Sequence, residues 1–153
     1  RRSQDSGAEG VFDVVHCLHW VNIIPLTVNN EVVFVKQYRH GVDDVTLEIP
    51  GGAVNLGEDF EKAARRELEE ETGYRSREWV NLGCVDPNPA FMSNKCQMFL
   101  ARDATLDSEM DLDPLEEIEL ELIPLKDVPI LIKEGKVTHS LVVSAFYLLE
   151  RHI

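Results

Sequence analysis

The stretch from Gly52 to Tyr74, GAVNLGEDFEKAARRELEEETGY, limits this chain more than any other. Pro50-Gly51-Gly52 breaks the chain before it and Gly73 stops it, so a helix over Asp59–Thr72 is bounded at both ends. Glu58 and Asp59 suit the positive end of that helix's dipole. At 3.6 residues per turn, Ala63, Ala64 and Leu68 share one face, and the small alanines let it sit close to a sheet. Glu67, Glu70 and Glu71 fall together on another face. Like charges so spaced destabilise an isolated helix by about 0.3 kcal/mol per pair. Local stability therefore does not explain them.

Convergent carboxylates are what a hard divalent cation such as Mg²⁺ requires: oxygen ligands, retained water, and substrate phosphates to complete the shell. A solvated acidic face is the plain alternative. Three neighbours weigh against it. The glycine turn offers backbone carbonyls to the same ion, Arg66 can orient the carboxylates from behind, and Gly73 ends the helix just past the cluster.

The rest of the chain reads mainly as strands flanked by helices. Strands are expected over Val11–Leu18, Trp20–Val28, Glu31–Tyr38, Val45–Ile49, Trp79–Val85, Cys96–Ala101 and Ile118–Ile123. Asn29-Asn30 signals a hairpin between the second and third of these. Two closing helices are expected over Val128–Glu134 and Thr138–Arg151. The pattern implies an α/β or α+β sandwich, and 153 residues suffice for one domain with a core.

The formal charge of −13 argues against broad binding to nucleic acid, although a bound cation can reverse the field around a small anion. No apolar run is long enough to cross a bilayer, so no membrane partner is expected. Arg1-Arg2 lead into polar residues, so no basic-then-apolar signal peptide is expected, and the start reads as a trimmed end or a domain fragment. Three cysteines without CxxC spacing fit reduced thiols in the cytoplasm and not structural zinc. Five histidines, among them His40 and His139, show no metal-ligand pattern.

The glycine-acid segment resembles the Nudix box, G-x5-E-x7-R-E-U-x-E-E-x-G-U with U aliphatic. Gly52, Glu58, Arg66, Glu67, Leu68, Glu70, Glu71 and Gly73 take its fixed positions, and Tyr74 at the last U is the one departure. Gln37-Tyr38-Arg39, Leu47-Glu48-Ile49-Pro50-Gly51-Gly52 and Pro89 resemble the branch acting on ADP-ribose and nucleotide sugars. The resemblance implies a mixed sheet sandwiched between helices, a single Nudix domain over 1–153, and Mg²⁺ or Mn²⁺ as cofactor. It implies Glu67, Glu71, Glu70 and the Gly51 carbonyl as cation ligands, with Glu58 in support. Glu70, Glu71 and a base from the acidic loop carry the chemistry; Glu116 is the first choice for that base, with Glu117 and Asp113 open. Arg39, Glu48, Phe91 and Lys95 are the expected substrate contacts, although the branch often has Glu at the place of Lys95. Trp20 and Phe91 offer faces for a base, and core burial is equally open for each.

The implied reaction splits the pyrophosphate of a small nucleotide-sugar substrate. Dinucleoside polyphosphates, nucleoside triphosphates, capped RNA, or a non-catalytic nucleotide-binding module are the alternatives. The branch commonly pairs through its N-terminal strands, so a homodimer is expected, with residues 1–10 a flexible or dimer-forming segment.

Overall fold

The computed structural model describes residues 1–152. Its strands are β1 (Trp20–Pro25), β2 (Glu31–Arg39), β3 (Asp44–Glu48), β4 (Gly51–Ala53), β5 (Tyr74–Arg75), β6 (Glu78–Val85), β7 (Cys96–Arg102), β8 (Thr105–Leu106) and β9 (Ile118–Pro124). Its helices are α1 (Phe60–Thr72), α2 (Val128–Lys133) and α3 (Ser140–Leu149). One mixed sheet has the order β4-β1-β7-β6, with β1 and β7 parallel. A second, antiparallel sheet has the order β3-β2-β9, and β5 and β8 form a small ribbon.

Strand β1 is buried on both faces, and its period of two sorts its side chains between two cores. Val21 and Ile23 pack with Ala63, Ala64 and Leu68 of α1 and with Phe99 and Ala101 of β7. Ile24 packs on the other side with Phe34, Met98, Leu100 and the α3 residues Leu141, Val142, Ala145 and Phe146. The mixed sheet is therefore covered by α1 on one face and by α3 with the second sheet on the other. The sandwich expected from the alternation of elements is present.

Helix α1 begins and ends where its sequence directs. The Asp59 side chain accepts from the Glu61 and Lys62 N–H groups, 3.0 and 3.3 Å away, as an N-cap. Gly73 takes φ 69° and donates its N–H to the Glu69 carbonyl. A β-carbon at Gly73 would run into the Ser108 carbonyl, so that position needs glycine twice over.

Three expectations require correction. Val11–Leu18 is not a strand; it holds a single bridge, Val15 to Met92, with Val15 N–H donating to the Phe91 carbonyl. Its apolar residues Val11, Phe12, Val14, Val15 and Leu18 stay exposed. The Asn29-Asn30 turn does form, with Asn30 at φ 57°, yet β1 and β2 share only the bridge Leu26 to Val32 before parting into different sheets. β1 instead pairs with β4 and β7. The breaker Gly51-Gly52 also turns out to lie in β4, a three-residue edge strand.

Candidate active site

Strand β4 is the ridge between two clefts, both lined by Gly51, Gly52 and Ala53. On one side, Glu67, Glu70 and Glu71 of α1 face Asp111, Asp113 and Glu116 of the loop before β9, with Arg66 beside them. This acidic cleft encloses about 440 Å³. The loop is tied to the helix by the Asp111 N–H, which donates to the Glu70 carbonyl at 2.9 Å.

Arg66 organises the cleft from behind. Its Nε and Nη2 donate to the two Glu58 carboxylate oxygens at 3.1 and 3.0 Å, and Nη2 also donates to the Ala53 carbonyl at 3.0 Å. Its Nη1 donates to Glu67 at 2.7 Å and to Glu70 at 2.9 Å. All the N–H donors of the guanidinium are thereby used. These contacts, Glu58 first, raise the Arg66 pKa. The same pair holds the Glu58 carboxyl below its usual range. Glu67 behaves differently: burial pushes its pKa up and outweighs the attraction of Arg66.

Gly52 lets Glu67 take this position. A β-carbon there would lie 2.5 Å from the Glu67 carboxylate, which rests directly on the bare backbone. Glu71 is 4% exposed, and its Oε2 accepts the Gly51 N–H at 2.9 Å. Among the described residues no cationic side chain lies within ion-pair distance of it. Burial, followed by repulsion from Glu67 and Glu116, pushes its pKa up to about 8.

A buried carboxylate without a counter-charge, facing further carboxylates across a polar cleft, fits a hard divalent cation with oxygen ligands. Among the described residues no three Asp, Glu, His or Cys side chains already close to metal-binding spacing. Arg66 draws Glu67 and Glu70 to itself while Glu71 turns to the Gly51 N–H, so the acids share a cleft without forming a closed cage.

On the other side of β4 lies a larger pocket of about 560 Å³, walled by Trp20, Arg39, Thr46, Glu48, Thr138 and His139 among others. Glu48 is 2% exposed and receives Arg39 through Nε at 2.9 Å and Nη2 at 2.8 Å. Burial pushes the Glu48 carboxyl up, but Arg39 and the Thr46 hydroxyl together bring it below the ordinary value. Glu48 first, and Glu71 and Glu116 to a smaller extent, hold the Arg39 pKa up.

The NUDIX domain profile matches residues 19–146. The chain belongs to the NUDIX family. It is 31% identical over 118 residues to an ADP-ribose pyrophosphatase of Bacillus subtilis, covering 76% of this chain and 64% of that one. It is 32% identical over 131 residues to a methanol dehydrogenase activator of Bacillus methanolicus, covering 85% and 71%. A solved structure described as an ADP compounds hydrolase superposes with a TM-score of 0.79 at 25% identity, covering 88% of this chain and 71% of that one. The chain thus spans just under two thirds of the Bacillus subtilis relative.

The box acids Glu67, Glu70 and Glu71 are brought together at one cleft with Gly51, which directly precedes the box, and Glu116 joins them. Asp113 lies there too, whereas Glu117 lines a separate hollow with Gln37, Tyr38 and His40. Arg39 and Glu48 line the adjoining pocket. Phe91 and Lys95 line neither cleft: Phe91 is 47% exposed, and Lys95 pairs with Asp86 at 2.9 Å. Sequence reasoning passed over Thr46 and Thr138, set His139 aside for want of a metal pattern, and did not single out Asp111 within the acidic loop. Nothing in their spacing marks them, because the fold brings them to the clefts from distant segments.

Proposed function

We propose that this chain is a cation-dependent hydrolase of the pyrophosphate bond in ADP-ribose or a related nucleotide sugar, releasing a nucleoside monophosphate and a sugar phosphate. The observation that carries this reading is the pairing of an acidic cleft with a mixed polar and apolar pocket across the Gly51–Ala53 ridge. The likeness to the ADP-ribose pyrophosphatase of Bacillus subtilis supports the same substrate class. The box acids are all retained, which weighs against a purely binding module.

Glu67, Glu71, Glu70 and the backbone of Gly51 would hold Mg²⁺ or Mn²⁺. When bound, such a cation neutralises phosphate oxygens and acidifies water. Glu116 accepts the proton of the attacking water; as the new P–O bond forms, the bridging P–O bond breaks and the bridging oxygen leaves with the other phosphate. Arg39 contributes positive charge between the clefts, where a phosphate oxygen can meet it. Glu48 contacts the group seated in the larger pocket. The positions of Phe91 and Lys95 give them at most a peripheral part.

Two copies of the chain would pair through the segment 11–18, where Val11, Phe12, Val14, Val15 and Leu18 are exposed. Three free cysteines and no described helix long and apolar enough to cross a membrane support a cytoplasmic setting.

The test is a substrate panel with Mg²⁺ and with Mn²⁺. AMP release from ADP-ribose, or nucleoside monophosphate release from a UDP- or GDP-sugar, is the expected result, abolished by Glu70→Gln with Glu71→Gln. Failure to cleave any of these compounds, by protein that still binds the cation, would remove the reading.

A further inference from the structure

His139 stands outside the box and outside every metal pattern, yet the fold fixes it beside Glu48 in the larger pocket. Its ring orientation is set. As the N-cap of α3, its Nδ1 accepts the Leu141 N–H at 3.2 Å. In the neutral ring the proton must then sit on Nε2, the nitrogen facing Glu48. The helix behind it is anchored by buried Leu141, Val142 and Ala145, so the ring is mounted on a rigid element.

Glu48 is equally fixed. Its Oε1 accepts from Arg39 Nε and from the Thr46 hydroxyl, at 2.9 and 2.6 Å. Among the described residues its Oε2 accepts only Arg39 Nη2, at 2.8 Å. A carboxylate oxygen accepts about two hydrogen bonds, so Oε2 keeps one site open. His139 Nε2 lies 3.9 Å from that oxygen. This is too long for a direct hydrogen bond. One hydroxyl oxygen set about 2.8 Å from both atoms closes that gap at a tight angle of about 90°, accepting from Nε2–H and donating to Oε2.

We propose that His139 and Glu48 bracket a sugar hydroxyl of the substrate, which makes His139 a specificity-determining residue. The inference rests on the pyrophosphatase reading for the identity of the substrate, but not for the geometry of the pair. The group recognised is an alcohol that can donate and accept at once, as on a pentose or hexose joined to the diphosphate. A bare phosphate ester lacks it.

The test uses the whole chain and two ligands that cannot be cleaved: α,β-methylene ADP-ribose, and the β-methyl ester of α,β-methylene ADP, which has no terminal sugar. Affinities are measured with Mg²⁺ by calorimetry for wild type, His139→Ala and His139→Gln, and hydrolysis of ADP-ribose is recorded in parallel. Loss of one hydrogen bond between neutral partners, with Glu48 left open to water, is worth about tenfold. His139→Ala is therefore expected to weaken the sugar-bearing ligand about tenfold and leave the methyl ester unchanged. His139→Gln, which keeps an N–H donor, is expected to restore most of the preference. Loss of the N-cap in the alanine variant lowers Tm but affects both ligands alike. Equal weakening of both ligands, or an unchanged ratio, overturns the proposal. A preference for the sugar-bearing ligand that falls in His139→Ala, in protein that does not hydrolyse ADP-ribose, upholds the bracket and removes the hydrolase reading.

Discussion

Glu71→Gln should stabilise the metal-free protein while abolishing its response to Mg²⁺. Glu71 is buried, and its carboxyl is pushed up to about 8 from an ordinary 4.5. The folded state therefore binds this proton more tightly than the unfolded state does. Below about pH 4.5 both states are protonated and the site costs nothing. As pH rises toward 8 the unfolded chain ionises first, and stability is lost through that window. The difference amounts to under about 1 kcal/mol at pH 5, roughly 3 kcal/mol at pH 7, and about 5 kcal/mol once the folded carboxyl is also ionised. Glutamine keeps an oxygen for the Gly51 N–H and carries no charge, so it removes the whole effect. Urea unfolding of wild type and Glu71→Gln in EDTA, at pH 5 to 9, measures this directly. Their stability difference should widen with pH and level off above pH 8. The background from the other acids cancels in the difference. Added Mg²⁺ should then stabilise wild type at pH 8 and leave the variant unmoved. A difference that stays flat with pH, or a variant less stable than wild type at pH 8, would refute the reasoning.

Three further outcomes are expected. Gly52→Ala should abolish Mg²⁺ binding measured by calorimetry with a Tm change of only a few degrees, because the new β-carbon displaces the Glu67 carboxylate at the cleft and not in the core. Glu116→Gln should lower kcat about a hundredfold, whereas Glu117→Gln, which lies in the other hollow, should leave it near wild type. Arg39→Ala strands the carboxylate of Glu48 in a buried site and should cost about 2 kcal/mol in urea unfolding, toward the low side for such a pair because Arg39 itself is partly in solvent.

The parts legible in the sequence were those whose causes are local. Helix α1 carries its cap at Asp59, its stop at Gly73 and its apolar face in one short run, so its limits and its acid cluster could be read without the fold. The β1 to β2 turn was legible for the same reason, but its consequence was not. Turn chemistry fixes a reversal, whereas partner choice depends on β7, far along the chain. Strand β4 was hidden because its glycines carry no pattern of their own and take extended form only by pairing with β1. Phe91 and Lys95 sit at a plausible spacing after the box, yet spacing gives no direction, and the loop turns Lys95 toward Asp86. His139 was unreadable for the opposite reason. A single histidine acquires meaning only when α3 packs back beside Glu48.

A ridge built from Gly51, Gly52 and Ala53 is nearly all main chain. With almost no side chains to raise it, the wall between the two clefts is low, like a sill worn down to the masonry, and the acidic cleft and the larger pocket open toward each other over it. A side chain added there would heighten the sill and part the two spaces, so the join between them is held open by the want of a β-carbon.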